Sequence, residues 1–477
     1  MSAPVHYRRI DEIGVICIDN PPVNALSQAV RAGLLATLKQ GLKDTDAKAL
    51  VIMAKGRTFI AGADIREFGK PAQSPLLPEV ITQLEASPKP IIAVLHGTAL
   101  GGGLEVALGC HLRVALPDTL LGLPEVKLGL LPGAGGTQRL PRLVGIEAAL
   151  DMITSGRFVN AEEAHELGII DIISETSEPL QAGLAAASDV LAGKRETRVT
   201  GQLPTPDANP AAVADFRVRL ADEAPALFSP FRCIDAVEAS AQGTLDEGLK
   251  RERELFLLCM ESPQRNGLIH SFFAARNIHK VPQAEEATPL LQIALIGKHP
   301  LFERLQQHAK RAGITFSTTI TADTQACLLA PGDTVDNDIP DHCITVSIIA
   351  ADTTDMPQTP LALVLSPNLA VAELVALTSE RTQQQAVANA LKALRQPVVV
   401  SQGNSMLSAM TRAIKGRPVN QQTKALEAIS HSIAENELCY RVSDIDLLAI
   451  EGLEYPRHLG GPHYQATLPA SSRVETS

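Results

Sequence analysis

The chain has 477 residues, enough for two to four domains and a sizeable buried core. Its 53 acidic side chains outnumber its 42 Lys and Arg side chains, giving a formal charge of −11. That balance argues against a nucleic-acid-binding protein. The seven cysteines are scattered without a CxxC spacing, and no apolar run has the length of a signal peptide or membrane span. We therefore expect a reduced, cytoplasmic protein that binds neither nucleic acid nor membrane and has no metal site.

The first 175 residues alternate strand-like and helix-like segments, a pattern typical of an α/β fold. Strands are predicted over residues 15–18, 49–53 and 91–95. A helix is predicted over residues 27–43, with Ser27 as its N-cap. The pattern then becomes helical, with predicted helices over 178–191 and 211–227 and one long helix over 249–278, kinked at Pro263.

A domain boundary is predicted near residues 282–289. Residues 292–297 then have the character of the first strand of a nucleotide-binding fold. The Asp-, Thr- and Pro-rich stretch over 321–360 argues against a helix there. Another strand is predicted over 397–400, and helices over 386–394 and 421–435.

Three glycine-rich elements lie in the first third of the chain, at residues 61–64 (AGAD), 101–105 (GGGLE) and 133–137 (GAGGT). Glycine lets a backbone approach a ligand closely, and the start of a helix offers unpaired N–H groups. Two such loops facing each other would offer two N–H donors to one developing oxyanion. Any one of them alone is better explained as a tight turn.

Two acids accompany these loops. Glu105 falls in the first turn of a predicted helix, and Glu125 follows a proline within an apolar stretch. A carboxylate in such a stretch is costly to bury unless it is paired, hydrogen-bonded or protonated. Two carboxylates meeting at one water suit the addition of water to a double bond, one acting as base and the other as acid. A solvated loop acid and a first-turn acid are the simpler alternatives for each alone.

Residues 1 to about 180 resemble the crotonase (enoyl-CoA hydratase/isomerase) superfamily. The motifs that carry the resemblance are residues 59–65 (FIAGADI), 99–107 (ALGGGLEVA) and 122–140 (GLPEVKLGLLPGAGGTQRL). The resemblance implies a spiral of ββα units and an acyl-CoA substrate, with an oxyanion hole formed by the N–H groups of Ala63 and Gly102. It also implies that Glu105 and Glu125 hold the catalytic water.

The same resemblance implies that cations flank the phosphates of CoA. Arg57 and Arg66 bracket the loop that contains Ala61 and Asp64, and these four residues are expected to contact CoA together with Lys280. Asp64 also suits a structural role as a helix cap. The CoA thioester is the substrate, and no cofactor is expected to be required.

The resemblance extends to multifunctional fatty-acid oxidation enzymes, in which a dehydrogenase follows the hydratase. Residues 271–276 (SFFAAR) resemble their linker helix, and residues 443–446 (SDID) and 455–462 (YPRHLGGP) their last helical segment. Residues 297–302 (GKHPLF), however, keep only the first glycine of the GxGxxG turn. Leu363 stands at the position of the catalytic His, and Val375 at that of the catalytic Glu, with Glu373 two residues away. We therefore expect an inactive dehydrogenase remnant that does not bind NAD.

The predicted domains are a crotonase core (1–190), a helical region with the linker helix (191–285), a degenerate Rossmann-like part (286–400) and a helical C-terminal remnant (401–477). The predicted activity is hydration of 2-trans-enoyl-CoA in β-oxidation or related acyl-CoA breakdown. Two alternatives stay open: Δ3-Δ2-enoyl-CoA isomerisation at the same site, and an acyl-CoA-binding or scaffolding role without catalysis. The chain is expected as a monomer or small homo-oligomer, with residues 290–477 docking other β-oxidation enzymes.

Overall fold

The computed structural model describes residues 3–67, 70–335, 339–353 and 356–469. The chain divides into two compact units, Met1–Arg265 and Asn266–Ser477. Both units combine helices with mainly parallel sheets, which confirms the α/β fold class. Residues 191–265, predicted as a separate helical region, lie in the same unit as the predicted core.

The first unit contains two sheets. The six-stranded sheet has the order β1-β2-β3-β4-β6-β9, with only β1 and β2 antiparallel, and the smaller sheet has the order β5-β7-β8. The strands are β1 (Val5–Ile10), β2 (Ile13–Ile18), β3 (Ala49–Ala54), β4 (Ile91–Leu95), β5 (Thr98–Leu100), β6 (Leu112–Ala115), β7 (Leu120–Gly122), β8 (Phe158–Asn160) and β9 (Ile172–Ile173).

Helices separate many of the strands of this unit, and several more helices follow its last strand. They are α1 (Gln28–Lys43), α2 (Leu77–Glu85), α3 (Gly102–Leu108), α4 (Gly136–Ser155), α5 (Ala161–Glu166), α6 (Pro179–Leu191), α7 (Pro210–Glu223), α8 (Ser229–Ala239) and α9 (Leu245–Glu261). Short 3₁₀ helices lie at Ile65–Glu67, Pro124–Leu128 and Thr200–Gln202. Ser27 caps α1 by accepting a hydrogen bond from the N–H of Val30, which confirms that predicted N-cap.

The large sheet is covered on both faces, which explains its continuous apolar strands. Leu50 and Ile52 point into the main core, whereas Val51 and Met53 point to the opposite face, against α6. The predicted strands over 15–18, 49–53 and 91–95 all lie within observed strands.

The predicted long helix over 249–278 is two helices in the structure. Helix α9 ends at Glu261, and α10 (Pro263–Asn277) begins immediately after Ser262. The backbone of Ser262 is extended (φ −67°, ψ 129°), because a residue that precedes proline disfavours the helical conformation. The break is therefore complete, where the sequence prediction had a kink.

The second unit is built on one seven-stranded sheet of order β11-β10-β12-β13-β14-β15-β16, parallel except between β14 and β15. Its strands are β10 (Gln292–Ile296), β11 (Thr315–Ser317), β12 (Ala326–Leu329), β13 (Ile344–Ala350), β14 (Leu361–Leu365), β15 (Ala372–Ala376) and β16 (Val398–Gln402). Its helices are α11 (Pro300–Ala312), α12 (Arg381–Ala393), α13 (Met406–Ile414), α14 (Val419–Glu435), α15 (Val442–Gly452) and α16 (Pro462–Thr467), with a 3₁₀ helix at Arg457–Leu459. The parallel sheet followed by α13 to α16 confirms the prediction of a Rossmann-like part followed by helices.

None of the helices within the described ranges is long and apolar enough to cross a membrane. Over the same residues, no group of three or more His, Cys, Asp or Glu side chains is arranged to hold a metal ion.

Candidate active site

The two predicted oxyanion donors lie on backbone segments joined through strand β5. The isolated bridge between Ile60 and Ala99 carries the 61–64 loop alongside β5, and α3 begins at Gly102 directly after that strand. Among the described residues, neither the N–H of Ala63 nor that of Gly102 donates a hydrogen bond to the protein. Both backbone donors are therefore available to a ligand.

Glu105 lies in the first turn of α3 and is almost fully buried. Its Oε1 atom accepts hydrogen bonds from the N–H groups of Ala134 (2.7 Å) and Gly136 (2.9 Å), at the start of α4. Burial raises the pKa of Glu105, whereas these two N–H groups and the Arg139 guanidinium act in the opposite direction. The backbone donors thus hold one oxygen of the carboxylate, so that the group has a fixed orientation.

Glu125 lies on the 3₁₀ helix Pro124–Leu128, directly after strand β7. Because β5 and β7 pair in parallel, with Leu100 opposite Gly122, this helix lies beside the start of α3. A Cβ atom added to Gly101 would lie 2.7 Å from Oε1 of Glu125, so only glycine leaves space for the carboxylate.

The carboxyl group of Glu125 is held much less firmly than that of Glu105. Its Oε2 atom is buried and accepts no hydrogen bond from a described residue. Burial, followed by the charge of Glu105 and that of Glu252, raises the pKa of Glu125 well above its usual range. The structure therefore brings together the two acids that the sequence analysis singled out, and it favours a protonated Glu125 beside Glu105.

A third buried carboxylate, Glu252, was missed by the sequence analysis. It lies on α9 and accepts hydrogen bonds from the N–H groups of Gly135 (2.7 Å) and Thr137 (3.1 Å) and from the Thr137 hydroxyl. Burial and the neighbouring Glu105 raise its pKa to about 8. In the sequence, Glu252 is one of several charged residues on an amphipathic helix. This pattern does not distinguish Glu252 from the solvated acids beside it.

Arg139 is a buried cation whose charge acts on two of these acids, Glu105 and Glu252. Its side chain is 2% exposed and forms two hydrogen bonds with Glu85, Nε to Oε1 at 3.0 Å and Nη2 to Oε2 at 2.7 Å. Glu85 also accepts a hydrogen bond from the N–H of Gly201. Arg139 lowers the pKa values of Glu105 and Glu252, and so opposes the mutual repulsion of the acids.

The residues predicted to contact CoA differ in exposure and in the bonds they already make. Arg57 is exposed, and Ala61 donates its N–H to Val23. Asp64 is buried, and its carboxylate accepts hydrogen bonds from Nε and Nη2 of Arg66 and from the Arg66 N–H, which lower the pKa of Asp64. The Asp64 carboxylate is thus engaged within its own loop, whereas the Arg66 side chain is 78% exposed.

Lys280, the remaining predicted CoA contact, is exposed directly after α10, in the second unit.

The first turn of the helix after β10 in the second unit is occupied by groups of the protein itself. Helix α11 begins at Pro300, which has no N–H. The ring of His299 accepts the N–H of Leu301 (3.1 Å), and its carbonyl accepts the N–H of Phe302. The side chain of Asp333 occupies the position that a Cβ on Gly297 would take. The first three residues of α11 thus offer no free N–H group, whereas a Rossmann fold binds a dinucleotide phosphate at such a helix start.

Glu373, the acid closest to the predicted catalytic position, is fully buried in strand β15. Its carboxylate accepts hydrogen bonds from the hydroxyls of Ser401 and Ser405 and from the N–H groups of Met406 and Leu407, at the start of α13. Glu373 therefore acts as a helix cap within the second unit.

A cavity of about 550 Å³ lies at the carboxyl ends of β13 and β14, bordered by His299, Ala350 and Leu365. Glu373 does not line this cavity.

Comparisons with known proteins identified one matching family and several similar proteins. The family described as Enoyl-CoA hydratase/isomerase matches residues 8–199. The peroxisomal bifunctional enzyme of Danio rerio is 42% identical over 271 residues, covering 56% of this chain and 37% of that protein. The human protein of that name is 40% identical over 281 residues, covering 57% and 38% respectively. The peroxisomal fatty acid beta-oxidation multifunctional protein MFP2 of Arabidopsis thaliana is 38% identical over 306 residues, covering 60% and 42%.

This chain therefore spans about two fifths of the length of the curated relatives it matches. Their names also contradict the expectation of a cytoplasmic location, since they are peroxisomal proteins and a further relative from Brassica napus is glyoxysomal.

Proposed function

From the premise that residues 8–199 form a domain of the enoyl-CoA hydratase/isomerase family, we propose that this chain hydrates 2-trans-enoyl-CoA. The observation that carries the proposal is the meeting of Glu105 and Glu125 beside the Gly101–Gly102 turn. The relatives' names add support for a substrate from fatty acid β-oxidation and for a peroxisomal setting.

The mechanism assigns the thioester oxygen to the N–H groups of Ala63 and Gly102. These donors stabilise the negative charge that develops on that oxygen when a nucleophile adds at C3. Since neither N–H has a protein partner among the described residues, no internal hydrogen bond has to break when the substrate binds.

The two acids divide the proton transfers. Glu105, held by two N–H donors, is the ionised base that takes a proton from water as the water oxygen bonds to C3. Glu125, whose pKa is raised and whose Oε2 has no protein partner, donates a proton to C2. The proton gained by Glu105 then replaces the one lost by Glu125, and the net reaction adds H and OH across the double bond.

Isomerisation of Δ3- to Δ2-enoyl-CoA is the second candidate. It moves one proton from C2 to C4 and needs a single shuttling acid. The raised pKa of Glu125 and its unheld oxygen suit that role. The two reactions separate in the variant Glu105→Gln, which we expect to lose hydration while it retains isomerisation.

The decisive experiment measures hydration of crotonyl-CoA and of longer enoyl-CoA thioesters by the full chain. Glu125→Gln should lower kcat about 10²- to 10⁴-fold, the usual contribution of a general acid. Glu162→Gln is the matched control, because Glu162 is exposed on the same unit. A wild-type chain that binds enoyl-CoA without hydrating or isomerising it would instead support the acyl-CoA-binding or scaffolding role.

We also propose that the second unit neither binds NAD nor oxidises 3-hydroxyacyl-CoA. The engagement of the α11 start by His299 and of Glu373 by α13 supports this. Calorimetric titration of the full chain with NAD should show no binding, and reduction of NAD with 3-hydroxyacyl-CoA would contradict the proposal. We further propose that residues 290–477 dock other β-oxidation enzymes, which co-purification of the full chain with those enzymes tests. We propose that the chain is a monomer or a small homo-oligomer, which its mass in solution tests.

A further inference from the structure

Two carboxylates from different helices share the start of α4. Four consecutive N–H groups, those of residues 134–137, donate alternately to Glu105 and Glu252. The first and third donors go to Oε1 of Glu105, and the second and fourth go to the two oxygens of Glu252. Both carboxylates are therefore bonded to the same loop, residues 134–137. A change in the bonds of one carboxylate to this loop should also change the orientation of the other.

The alternation requires an unusual backbone. Gly135 has φ +99°, which L-residues with a side chain rarely adopt, and this turns successive N–H groups to opposite sides of the chain. A Cβ atom on Gly136 would lie 3.0 Å from Oε1 of Glu105. The two glycines thus let one short segment face α3 on one side and α9 on the other.

Helix α9 approaches α4 closely enough to deliver Glu252 to this loop. One turn before Glu252, a Cβ atom on Gly248 would collide with the side-chain amide of Gln138. Gln138 in turn donates to the Thr137 hydroxyl at 2.9 Å, so that this hydroxyl directs its own proton to Glu252. Glu252 consequently accepts three hydrogen bonds, and each of its oxygens accepts at least one.

We infer that Glu252 is a positioning residue for the proposed hydration: it fixes the 134–137 loop whose alternate N–H groups orient the base Glu105. This inference rests on the proposed function and deepens it. We also expect an electrostatic effect of Glu252, because its charge raises the pKa of Glu125, while Glu105 and Arg139 act on Glu252 in opposite directions. Loss of that charge should lower the pKa of Glu125.

The test compares Glu252→Gln with wild type in full pH profiles of enoyl-CoA hydration. Glutamine keeps the shape but presents an amide NH₂ to at least one backbone donor, so the loop loses a hydrogen bond. We expect kcat to fall about 10- to 100-fold with little change in KM, the pattern of a lost transition-state interaction. We also expect the alkaline limb to move to lower pH by about one unit, since a buried like charge near Glu125 has been removed.

Two further variants separate positioning from simple stability. Thr137→Val removes one donor from Glu252 while keeping the side-chain shape, and it should shift the alkaline limb in the same direction by less. Glu254→Gln is the matched control, because Glu254 lies on the same helix with its side chain 65% exposed and paired with Arg251; it should leave the profile unchanged. If Glu252→Gln does not fold, the pH profile of Thr137→Val tests the inference by itself.

The outcomes distinguish this inference from the proposed function. A wild-type chain without hydratase activity would overturn both. An active wild type, with folded variants that lose only thermal stability and keep the wild-type alkaline limb, would overturn the positioning role alone.

Discussion

Arg139 and Glu85 form a buried ion pair with two hydrogen bonds, and the charge of Arg139 acts on the buried acids Glu105 and Glu252. The pair is nearly closed to solvent, with the two side chains 2% and 12% exposed, and the Gly201 N–H donates to the same carboxylate. Its guanidinium is the cation that opposes the repulsion between Glu105 and Glu252. Loss of this ion pair should therefore lower the free energy of unfolding and change the pKa values of Glu105 and Glu252.

We expect Glu85→Gln to destabilise the first unit by about 3 kcal/mol, because it leaves the buried guanidinium of Arg139 without its charged partner. The measurement is equilibrium unfolding in urea, followed by a probe in the first unit. Arg251→Gln is the control, since Arg251 and Glu254 form an exposed pair whose loss should cost less than about 1 kcal/mol. Equal effects of the two substitutions would contradict the structural role of the buried pair.

The raised pKa of Glu125 predicts the direction of the pH dependence of hydration. A general acid must be protonated to act, so kcat should fall as pH rises through the folded-state pKa of Glu125, which burial and Glu105 place well above the usual value. The rate should therefore persist through neutral pH and decline on the alkaline side. A kcat profile that rises steadily with pH would instead identify Glu125 as a base.

Gly101→Ala should abolish hydration, because its Cβ would lie 2.7 Å from the Glu125 carboxylate and its φ of +54° is unfavourable for alanine. Gly193→Ala separates the two causes: Gly193 has φ +69° with nothing within 4 Å of the added Cβ. The control should lose about 1 kcal/mol of stability through strain alone while it retains full activity. Retention of wild-type kcat by Gly101→Ala would exclude the close approach of Glu125 to this turn.

Glu373→Gln should destabilise the start of α13 without changing hydration by the first unit. The glutamine side chain would present an NH₂ group where the carboxylate now accepts hydrogen bonds. Buried donors would lose their acceptor, at a cost of about 1–3 kcal/mol. Hydrogen exchange over residues 405–410 should quicken, whereas crotonyl-CoA turnover should match wild type. Loss of an NAD-dependent activity in this variant would show that Glu373 has a catalytic role after all.

The features that local pattern determines were predictable from the sequence. Continuous apolar runs became strands buried on both faces, and the Ser27 cap was evident because its chemistry is confined to one helical turn. The meeting of Glu105 and Glu125 was available only through family resemblance, since the pairing of β5 with β7 that joins them is a tertiary contact.

Other features depended on contacts that no short window of sequence contains. Helix α8 (Ser229–Ala239) was not predicted, because its apolar positions become informative only when they pack into the first unit's core. Glu252 lies among other charged residues of α9, and only the contact of Gly248 with α4 makes it a buried acid rather than a solvated one.

The hydrogen bonds of Glu252 have a consequence for where this protein can be divided. The matched family region ends at residue 199, whereas Glu252 lies more than fifty positions later and holds the loop on which Glu105 depends. A fragment cut at that boundary would expose the N–H groups of Gly135 and Thr137 and would remove the helix that covers them. The smallest segment that could carry the proposed hydration therefore extends through α9, and it is larger than the region that the family match covers.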